Sequence, residues 1–391
     1  MKFLIHIPQL IYGGAEKVLV DFANYLIEKG HEVEVLETYD RGFLKQQFNS
    51  KVTFNCICSN EYTDKYYVSF DEIVNEKNIF KKVKKIIKKV FITIVGYERL
   101  AHYFAKKNYK DKRFDVAINY LETQSPKFII KSIYSRKKLQ WIHIDISKVN
   151  NIEFIDKQIK WYKKIDNIIC VSEVAKVSFY NRFYELRNKT KIIYNFYNVN
   201  KIIETSVEAG KLNQNEFSIL SVGRLVEQKG YERAINVFYR LKQEGYKFKW
   251  HIIGDGILKE KINNKINDLG LAEDIYLLGI KENPYPYIKQ CDLFFLPSLY
   301  EGFPTVTIEA KVLKKPVLST EVSGIREQII NGKTGLIVDN SEEAIYIGLK
   351  KLISNDELRN KIQSNEGIDK VINNEFKYKE LMKIMDRWYL N

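Results

Sequence analysis

The chain has 391 residues, which is enough for two domains of ordinary size. Hydrophobic residues make up 45% of it and charged residues 29%, as is normal for a soluble globular protein, and the formal net charge is +14. No apolar run approaches the roughly 20 residues of a transmembrane helix, and His6 and Pro8 interrupt the N-terminal stretch too early for a signal peptide. The four cysteines include no Cys-x-x-Cys pair, so we expect a reduced, cytoplasmic compartment.

The first half of the chain alternates between strand and helix patterns. A buried strand is predicted at Lys2–Ile7, the glycine pair Gly13 and Gly14 follows it, and a helix with an apolar face comes next. Further strands are predicted at 33–36, 52–56, 116–119, 138–142 and 168–171. A strand, a glycine turn and a helix make a βα unit, with the turn at the carboxyl end of the strand.

A strongly basic segment interrupts this alternation. Residues 77–113 hold thirteen Lys or Arg and two acidic residues. Within it, residues 81–92 place apolar side chains on one helical face and lysines on the rest, which favours an anionic membrane surface as partner. Each lysine near such a surface contributes about 1 kcal/mol. Two alternatives are the solvated face of a core helix and nucleic-acid binding; no nucleic-acid motif accompanies the charge, so we expect no nucleic-acid partner.

The second half of the chain repeats the alternation. Strands are predicted at 217–222, 248–253, 275–278, 293–296, 316–319 and 335–338, with helices between them. This order predicts parallel sheets with covered faces. The polar stretch 200–216 places the boundary between a domain at 1–200 and a domain at 201–373. The last segment, 374–391, carries large apolar residues in a helical pattern, so we expect it to pack back on the first domain.

The most informative stretch is 301–309, Glu-Gly-Phe-Pro-Thr-Val-Thr-Ile-Glu. The strand pattern just before it places Glu301 in a loop at a strand's carboxyl end, and the helical pattern from Thr305 places Glu309 about one turn into a helix. Ligands bind at such edges of open α/β sheets. Backbone N–H groups at the helix start favour a phosphate, and carboxylates accept hydrogen bonds from ribose and sugar hydroxyls. The stretch therefore predicts a nucleotide-sugar pocket.

Two cations follow another predicted strand. Arg224 comes directly after Gly223, and Lys229 lies five positions further on. Arginine offers bidentate recognition and lysine a point charge, and together they suit a diphosphate. The alternative is two surface cations on a loop.

Three weaker features lie at other predicted strand ends. Gly13 and Gly14 allow close backbone approach to a phosphate or simply a tight turn. Gly254 belongs to Gly-Asp-Gly, which would line the base or ribose or form a plain turn. His143 faces the predicted interdomain cleft, although a lone histidine is usually a packed residue; Asp145 could orient it or face the acceptor.

With these residues in view, the chain resembles family 4 of the retaining glycosyltransferases, whose GT-B fold has two Rossmann-like domains with parallel sheets facing across a cleft. The matching pieces are Gly13-Gly14-Ala15-Glu16, His143 in Trp-Ile-His-Ile-Asp, Val222-Gly223-Arg224-Leu225 with Lys229-Gly230, Gly254-Asp255-Gly256, Glu301 to Glu309, and the segments 321–327 and 331–336. The likeness covers nearly the whole chain and is strongest from 217 to 340.

The resemblance implies a role for each matching residue. Arg224 and Lys229 would bind the diphosphate, and His143 would lie near the reacting end of the sugar. Glu309 would accept hydrogen bonds from the ribose, and Glu301 would hold the donor sugar. The other donor-binding residues would be Gly13, Gly14, Gly223, Gly254, Ile280 beside the base, Gly302, Phe303, Pro304 and Thr305.

The function expected from the resemblance is transfer of a hexose or N-acetylhexosamine from a nucleotide-diphosphate sugar, with a UDP-sugar favoured, to a glycan acceptor on a lipid. The enzyme would retain anomeric configuration, need no metal or other cofactor, and work in the cytoplasm on the inner face of the cell membrane. The first domain would bind the acceptor in surface polysaccharide assembly. The alternatives are an epimerase or phosphorylase of the same fold, and a catalytically silent membrane-bound partner subunit.

Overall fold

A computed structural model describes residues 1–386, with gaps. Outside the described residues lie Tyr12, Phe43, 59–72, Lys77, Gly96, Asn150, 209–211, 213–215, Asn365 and 387–391, and the side chains of 91–98, Leu100, Ala101 and Phe104 are likewise not described. The last residues of the predicted C-terminal segment therefore fall outside the description, as do the side chains of residues 91 and 92 in the basic segment.

The first half of the chain forms a parallel sheet of seven strands. The strands are β1 (Lys2–Ile7), β2 (Glu32–Tyr39), β3 (Thr53–Cys58), β4 (Arg113–Asn119), β5 (Tyr134–Ile142), β6 (Asn167–Cys170) and β7 (Thr190–Ile192), in the order β3-β2-β1-β4-β5-β6-β7. Phe3 pairs with Val33 on one side and with Val116 on the other. Consecutive residues of β1 are fully buried, as expected for a strand covered on both faces.

Helices lie on both faces of this sheet. The helices of this half of the chain are α1 (Gly14–Glu28), α2 (Ile79–Val95), α3 (Tyr97–Asn108), α4 (Lys127–Ser132), α5 (Ile152–Lys157), α6 (Ile159–Tyr162), α7 (Glu173–Arg182) and α8 (Val199–Thr205). The last of them, α8, contacts two helices of the second half, at Tyr285–Gln290 and Thr305–Val312. Helix α1 buries Val18, Phe22 and Leu26, which follow one another at helical spacing. In the described part of the chain, no helix combines the length and the apolar character that crossing a bilayer requires.

The second half forms a parallel sheet of six strands. These are β8 (Ser218–Val222), β9 (Lys249–Ile253), β10 (Ile275–Gly279), β11 (Leu293–Leu296), β12 (Val317–Thr320) and β13 (Leu336–Val338), in the order β10-β9-β8-β11-β12-β13. The helices are α9 (Tyr231–Gln243), α10 (Lys259–Asp268), α11 (Tyr285–Gln290), α12 (Thr305–Val312), α13 (Glu342–Ile353), α14 (Asp356–Ile362), α15 (Asp369–Ile372) and α16 (Asn374–Asp386).

Both sheets have a point at which the strand order reverses. In the first sheet β1 lies between β2 and β4, and in the second β8 lies between β9 and β11. Loops on the two sides of such a point diverge and leave a crevice at the carboxyl ends of the strands. Each domain therefore has one crevice, at the carboxyl ends of its strands.

Helix α16 lies against the first domain. The carboxylate of Glu375 accepts hydrogen bonds from Lys29 Nζ at 2.6 Å and from the hydroxyl of Tyr25 at 3.0 Å. The buried Nζ of Lys377 donates to the carbonyl of Asn195 at 2.7 Å, and burial holds the pKa of Lys377 well below its usual range. The described part of the C-terminal segment thus contacts the first domain.

Candidate active site

A cleft of about 600 Å³ separates the two domains at the carboxyl ends of their strands. Its walls come from the segments after β1, β2, β5 and β7 in the first domain and after β8, β9, β10 and β11 in the second. All fourteen predicted site residues line it: Gly13, Gly14, His143, Gly223, Arg224, Lys229, Gly254, Ile280, Glu301, Gly302, Phe303, Pro304, Thr305 and Glu309. The structure thus brings them together, and the role of each stays a prediction.

A charged pair holds Glu301 in the loop after β11. Its Oε1 accepts a hydrogen bond from Lys229 Nζ at 2.6 Å and another from the Ser298 hydroxyl at 2.6 Å. Both members of the pair are largely buried, with 15% of the Lys229 side chain and 9% of the Glu301 side chain exposed. An ammonium group has three donors, so Lys229 retains hydrogen-bonding capacity for a phosphate oxygen beside Glu301.

Arg224 lies in the cleft with its side chain exposed. Across the cleft, Glu16 of α1 carries a carboxyl whose pKa is raised by burial, and the positive charge of Arg224 partly offsets that effect. The two residues therefore bring opposite charges from the two domains to one part of the cleft. Glu16 belongs to the motif Gly13-Gly14-Ala15-Glu16, but its sequence context predicts no role for its side chain.

Two glycines let the loops after β8 and β9 pack closely. Gly254 has a φ of +146°, and a Cβ there would lie 2.0 Å from the carbonyl oxygen of Gly223. A Cβ on Gly256 would lie 2.4 Å from the carbonyl oxygen of Leu225. Any larger residue would push these loops apart, and Arg224 would move with them.

Helix α12 presents Glu309 to the cleft from its second turn. The residue is 2% exposed, and its Oε1 accepts a hydrogen bond from Lys17 Nζ at 2.7 Å. Its Oε2 is buried and has no hydrogen-bond partner among the described residues. Burial tends to lower the pKa of Lys17, but the nearby Glu309 and Tyr285 outweigh it and raise that pKa above the ordinary value. Sequence reasoning missed Lys17, because nothing in its own segment reveals a partner in the other domain.

His143 follows β5 and is 7% exposed. Burial lowers its pKa to about 3, so the imidazole is neutral at physiological pH. Its ring centroid lies 4.7 Å from that of Tyr120, and its backbone N–H donates to the carboxylate of Glu122 at 2.9 Å. Burial also raises the pKa of Glu122, to about 6. A neutral ring can exchange hydrogen bonds with sugar hydroxyls, but it does not act as a fixed cation.

Direct contacts between the domains close one side of the cleft. A Cβ on Gly302 would lie 2.4 Å from the carbonyl oxygen of His143, so the two backbones almost touch. The hydroxyl of Ser323 donates to Asp145 at 3.1 Å, and Asp145 also accepts from Ser147. The carboxylate of Glu327 accepts from the backbone N–H of Glu173, at the start of α7.

A second cavity of about 610 Å³ lies in the first domain next to this contact. Asp145 and Ser147 line it on one side, and Ser178, Asn181 and Arg182 of α7 line it on the other. Polar side chains of this kind can hydrogen-bond carbohydrate hydroxyls. Among the described residues, no group of three or more His, Cys, Asp or Glu is arranged to hold a metal ion.

The second domain matches a known family in sequence. Residues 202–369 fit the family model described as glycosyl transferases group 1. The chain is 38% identical over 173 residues to an uncharacterised glycosyltransferase of Methanocaldococcus jannaschii, with 43% of each protein covered. It is 34% identical over 200 residues to the N-acetylgalactosamine-N,N'-diacetylbacillosaminyl-diphospho-undecaprenol 4-alpha-N-acetylgalactosaminyltransferase of Campylobacter jejuni, covering 51% of this chain and 53% of that protein. The chain thus matches about half the length of these relatives.

The whole chain matches a solved structure in fold. The crystal structure of Anabaena Alr3699/HepE in complex with UDP and glucose aligns with a TM-score of 0.75 and 16% sequence identity, covering 99% of both chains. Together with the two parallel sheets, this confirms the predicted fold class, GT-B with two Rossmann-like domains. Membership of retaining family 4 stays a prediction.

Proposed function

We propose that the protein is a retaining glycosyltransferase. It moves a hexose or N-acetylhexosamine from a nucleotide-diphosphate sugar, with a UDP-sugar favoured, to a lipid-linked glycan in surface polysaccharide assembly. The observation that carries this proposal is the convergence of Arg224, Lys229, Glu301 and Glu309 on one cleft between the domains. The names of the relatives support the same class of reaction.

The chemistry follows from the charges in the cleft. Breaking the bond between the sugar's anomeric carbon and the diphosphate leaves a growing anion and an oxocarbenium-like sugar. Arg224 and Lys229 bind and stabilise the anion, which is the charge that develops as the bond breaks. Glu309 accepts from the ribose, and Glu301 orients the sugar. A hydroxyl of the acceptor attacks the anomeric carbon from the face that the diphosphate leaves and gives its proton to the departing phosphate oxygen. The cleft excludes the water that would hydrolyse the donor. The reaction is proposed to need no metal.

A donor screen tests this proposal. We expect purified protein, incubated with UDP- and GDP-sugars and a lipid-linked acceptor, to release a nucleoside diphosphate with at least one donor, and EDTA to leave the rate unchanged. Glu309→Ala should lose donor binding in calorimetry, because the ribose loses a charged hydrogen-bond acceptor. The proposal fails if no donor yields a nucleoside diphosphate and Glu309→Ala binds donors like the wild type. An acceptor-free product would indicate an epimerase or a phosphorylase, and activity only with a second protein would indicate a partner subunit.

Helix α2 of the first domain is proposed to bring the enzyme to the membrane that holds its lipid-linked acceptor. Val83, Ile86, Ile87 and Val90 form one face of this helix and are between 43% and 63% exposed. A helix that packs this face into a core would bury these side chains, so the arrangement favours a membrane over the core-helix alternative. The lysines beside this face suit anionic lipid headgroups. The protein is therefore proposed to work peripherally, on the cytoplasmic face of the cell membrane.

We expect vesicle binding to depend on the lysines of α2. Replacing all six by Gln should weaken binding to vesicles rich in anionic phospholipid by at least tenfold in a sedimentation assay, because each contributes about 1 kcal/mol near such a surface. The six are Lys81, Lys82, Lys84, Lys85, Lys88 and Lys89. High salt should have a similar effect on the wild type.

A charge-matched variant provides the control. It replaces six exposed lysines of the second domain by Gln: Lys242, Lys247, Lys259, Lys261, Lys333 and Lys351. This variant has the same net charge as the α2 variant and should bind vesicles like the wild type. Equal loss in both variants would contradict a localised membrane surface, as would binding that is insensitive both to the α2 substitutions and to salt.

A further inference from the structure

One ion pair in the cleft joins the two domains directly. Lys17 belongs to α1 of the first domain and Glu309 to α12 of the second, 292 positions apart, with 2.7 Å between Nζ and Oε1. The Lys17 side chain is 31% exposed, whereas that of Glu309 is 3% exposed. The ammonium group also lies 4.7 Å from the ring centroid of Tyr285. The carboxylate proposed to bind the ribose is thus in contact with the opposite domain.

A carboxylate this deeply buried needs a compensating positive charge. The titratable groups that interact with it are Lys17 and Asp21 of α1, Tyr285 of α11, and Tyr197 in the segment that crosses between the domains. Among these four, Lys17 carries the positive charge. Asp21 is itself an acid and supplies no positive charge to Glu309; burial raises its pKa to about 6. Without Lys17, the buried carboxylate of Glu309 would lose its ion-pair partner.

The two oxygens of Glu309 have different surroundings. Oε1 accepts from Lys17, whereas Oε2 is buried without a hydrogen-bond partner among the described residues. An ionised carboxylate has about four acceptor positions, so the oxygen that Lys17 leaves free can accept from a ribose diol.

We infer that Lys17 is a positioning residue that holds the Glu309 carboxylate in the orientation that suits the ribose hydroxyls of the donor. The first domain then contributes to nucleotide affinity through a side chain of the second. This inference rests on the proposed function, because it assumes that a nucleotide binds at Glu309.

A double-mutant cycle with UDP as the probe tests the inference. Dissociation constants are measured by calorimetry for the wild type, Lys17→Met, Glu309→Gln and the double variant. We expect each single variant to weaken UDP binding by about 10- to 100-fold, the range for a charged hydrogen bond. The double variant should be within about twofold of Glu309→Gln, because residues that act as a unit are not additive. Lys17→Arg keeps the charge and should retain most of the affinity.

A second readout separates positioning from a general structural defect. The wild type should prefer UDP over 2′-deoxy-UDP, and Lys17→Met should lose most of that preference. Additive losses in the cycle, or an unchanged preference, overturn the inference. If the wild type binds UDP and Glu309→Gln weakens it, the proposed function survives such a result; if the wild type binds no nucleotide, both fail.

Discussion

Arg224→Met is expected to lower kcat for sugar transfer by roughly 100- to 1000-fold, the loss typical when one preorganised group that stabilises developing negative charge is removed. Arg224 is exposed in the cleft, whereas Lys229 shares its charge with Glu301 at 2.6 Å. Of these two cations, Lys229 is the one whose charge Glu301 offsets, so we expect the loss of Arg224 to have the larger effect. KM for the donor should change less than kcat, because the diphosphate gains charge as the bond breaks.

The measurement is steady-state release of the nucleoside diphosphate with the best donor from the screen. Because Arg224 is exposed, the melting temperature of Arg224→Met should stay close to that of the wild type. Lys247→Met is the control. It removes an exposed cation just before β9, and so at the amino-terminal ends of the strands, whereas the cleft lies at their carboxyl ends. A kcat within threefold of the wild type would show that Arg224 does not stabilise the leaving group.

Gly302→Ala is expected to reduce kcat/KM for the donor by about 100-fold, the cost associated with a displacement of about 1 Å in a catalytic site. The added Cβ would lie 2.4 Å from the carbonyl oxygen of His143 and 2.9 Å from the Cα of Ile144. Both neighbours belong to the backbone of the other domain, so no side-chain rotation can relieve the clash. The domains must separate, which moves His143 away from the donor-binding loop.

Two measurements distinguish separation from unfolding. Small-angle scattering should show a larger radius of gyration for Gly302→Ala, while far-UV circular dichroism stays that of the wild type. Ser323→Ala removes the cross-domain hydrogen bond to Asp145 without adding an atom, and it should keep kcat/KM within about threefold, as expected for one hydrogen bond of modest net strength. A fully active Gly302→Ala would mean that the protein works with its domains further apart than in this arrangement.

Much of the fold could be predicted because its strands are local apolar runs with turn residues at their ends. Strand β11 occupies the predicted residues, Leu293–Leu296, and β10 ends at Gly279, one residue beyond the predicted span. The order of strands in each sheet could not be predicted without the resemblance, because pairing depends on contacts between distant segments. Burial on both faces also removes the period-two pattern that would mark the side facing the core.

Fourteen of the residues that line the cleft could be predicted from the sequence, but their contacts with one another and with other residues could not. Residues such as Arg224 and Glu301 follow strands, and the carboxyl ends of parallel strands share one edge of a sheet. The pairing of Lys17 with Glu309 links positions 292 apart, and the sequence near either residue contains no pattern that predicts it. The hydrogen bonds of Asp145, considered as an orienting group for His143, go instead to Ser147 and Ser323.

The packing of α16 on the first domain has a consequence for biosynthesis. Tyr25 and Glu375 are hydrogen-bonded although 350 positions separate them. At a translation rate of about 5–20 residues per second, the surface around Tyr25 waits roughly 20–70 s for its covering helix to leave the ribosome. During that interval the nascent first domain carries an uncovered patch, because α16 is synthesised long after the helix that it covers.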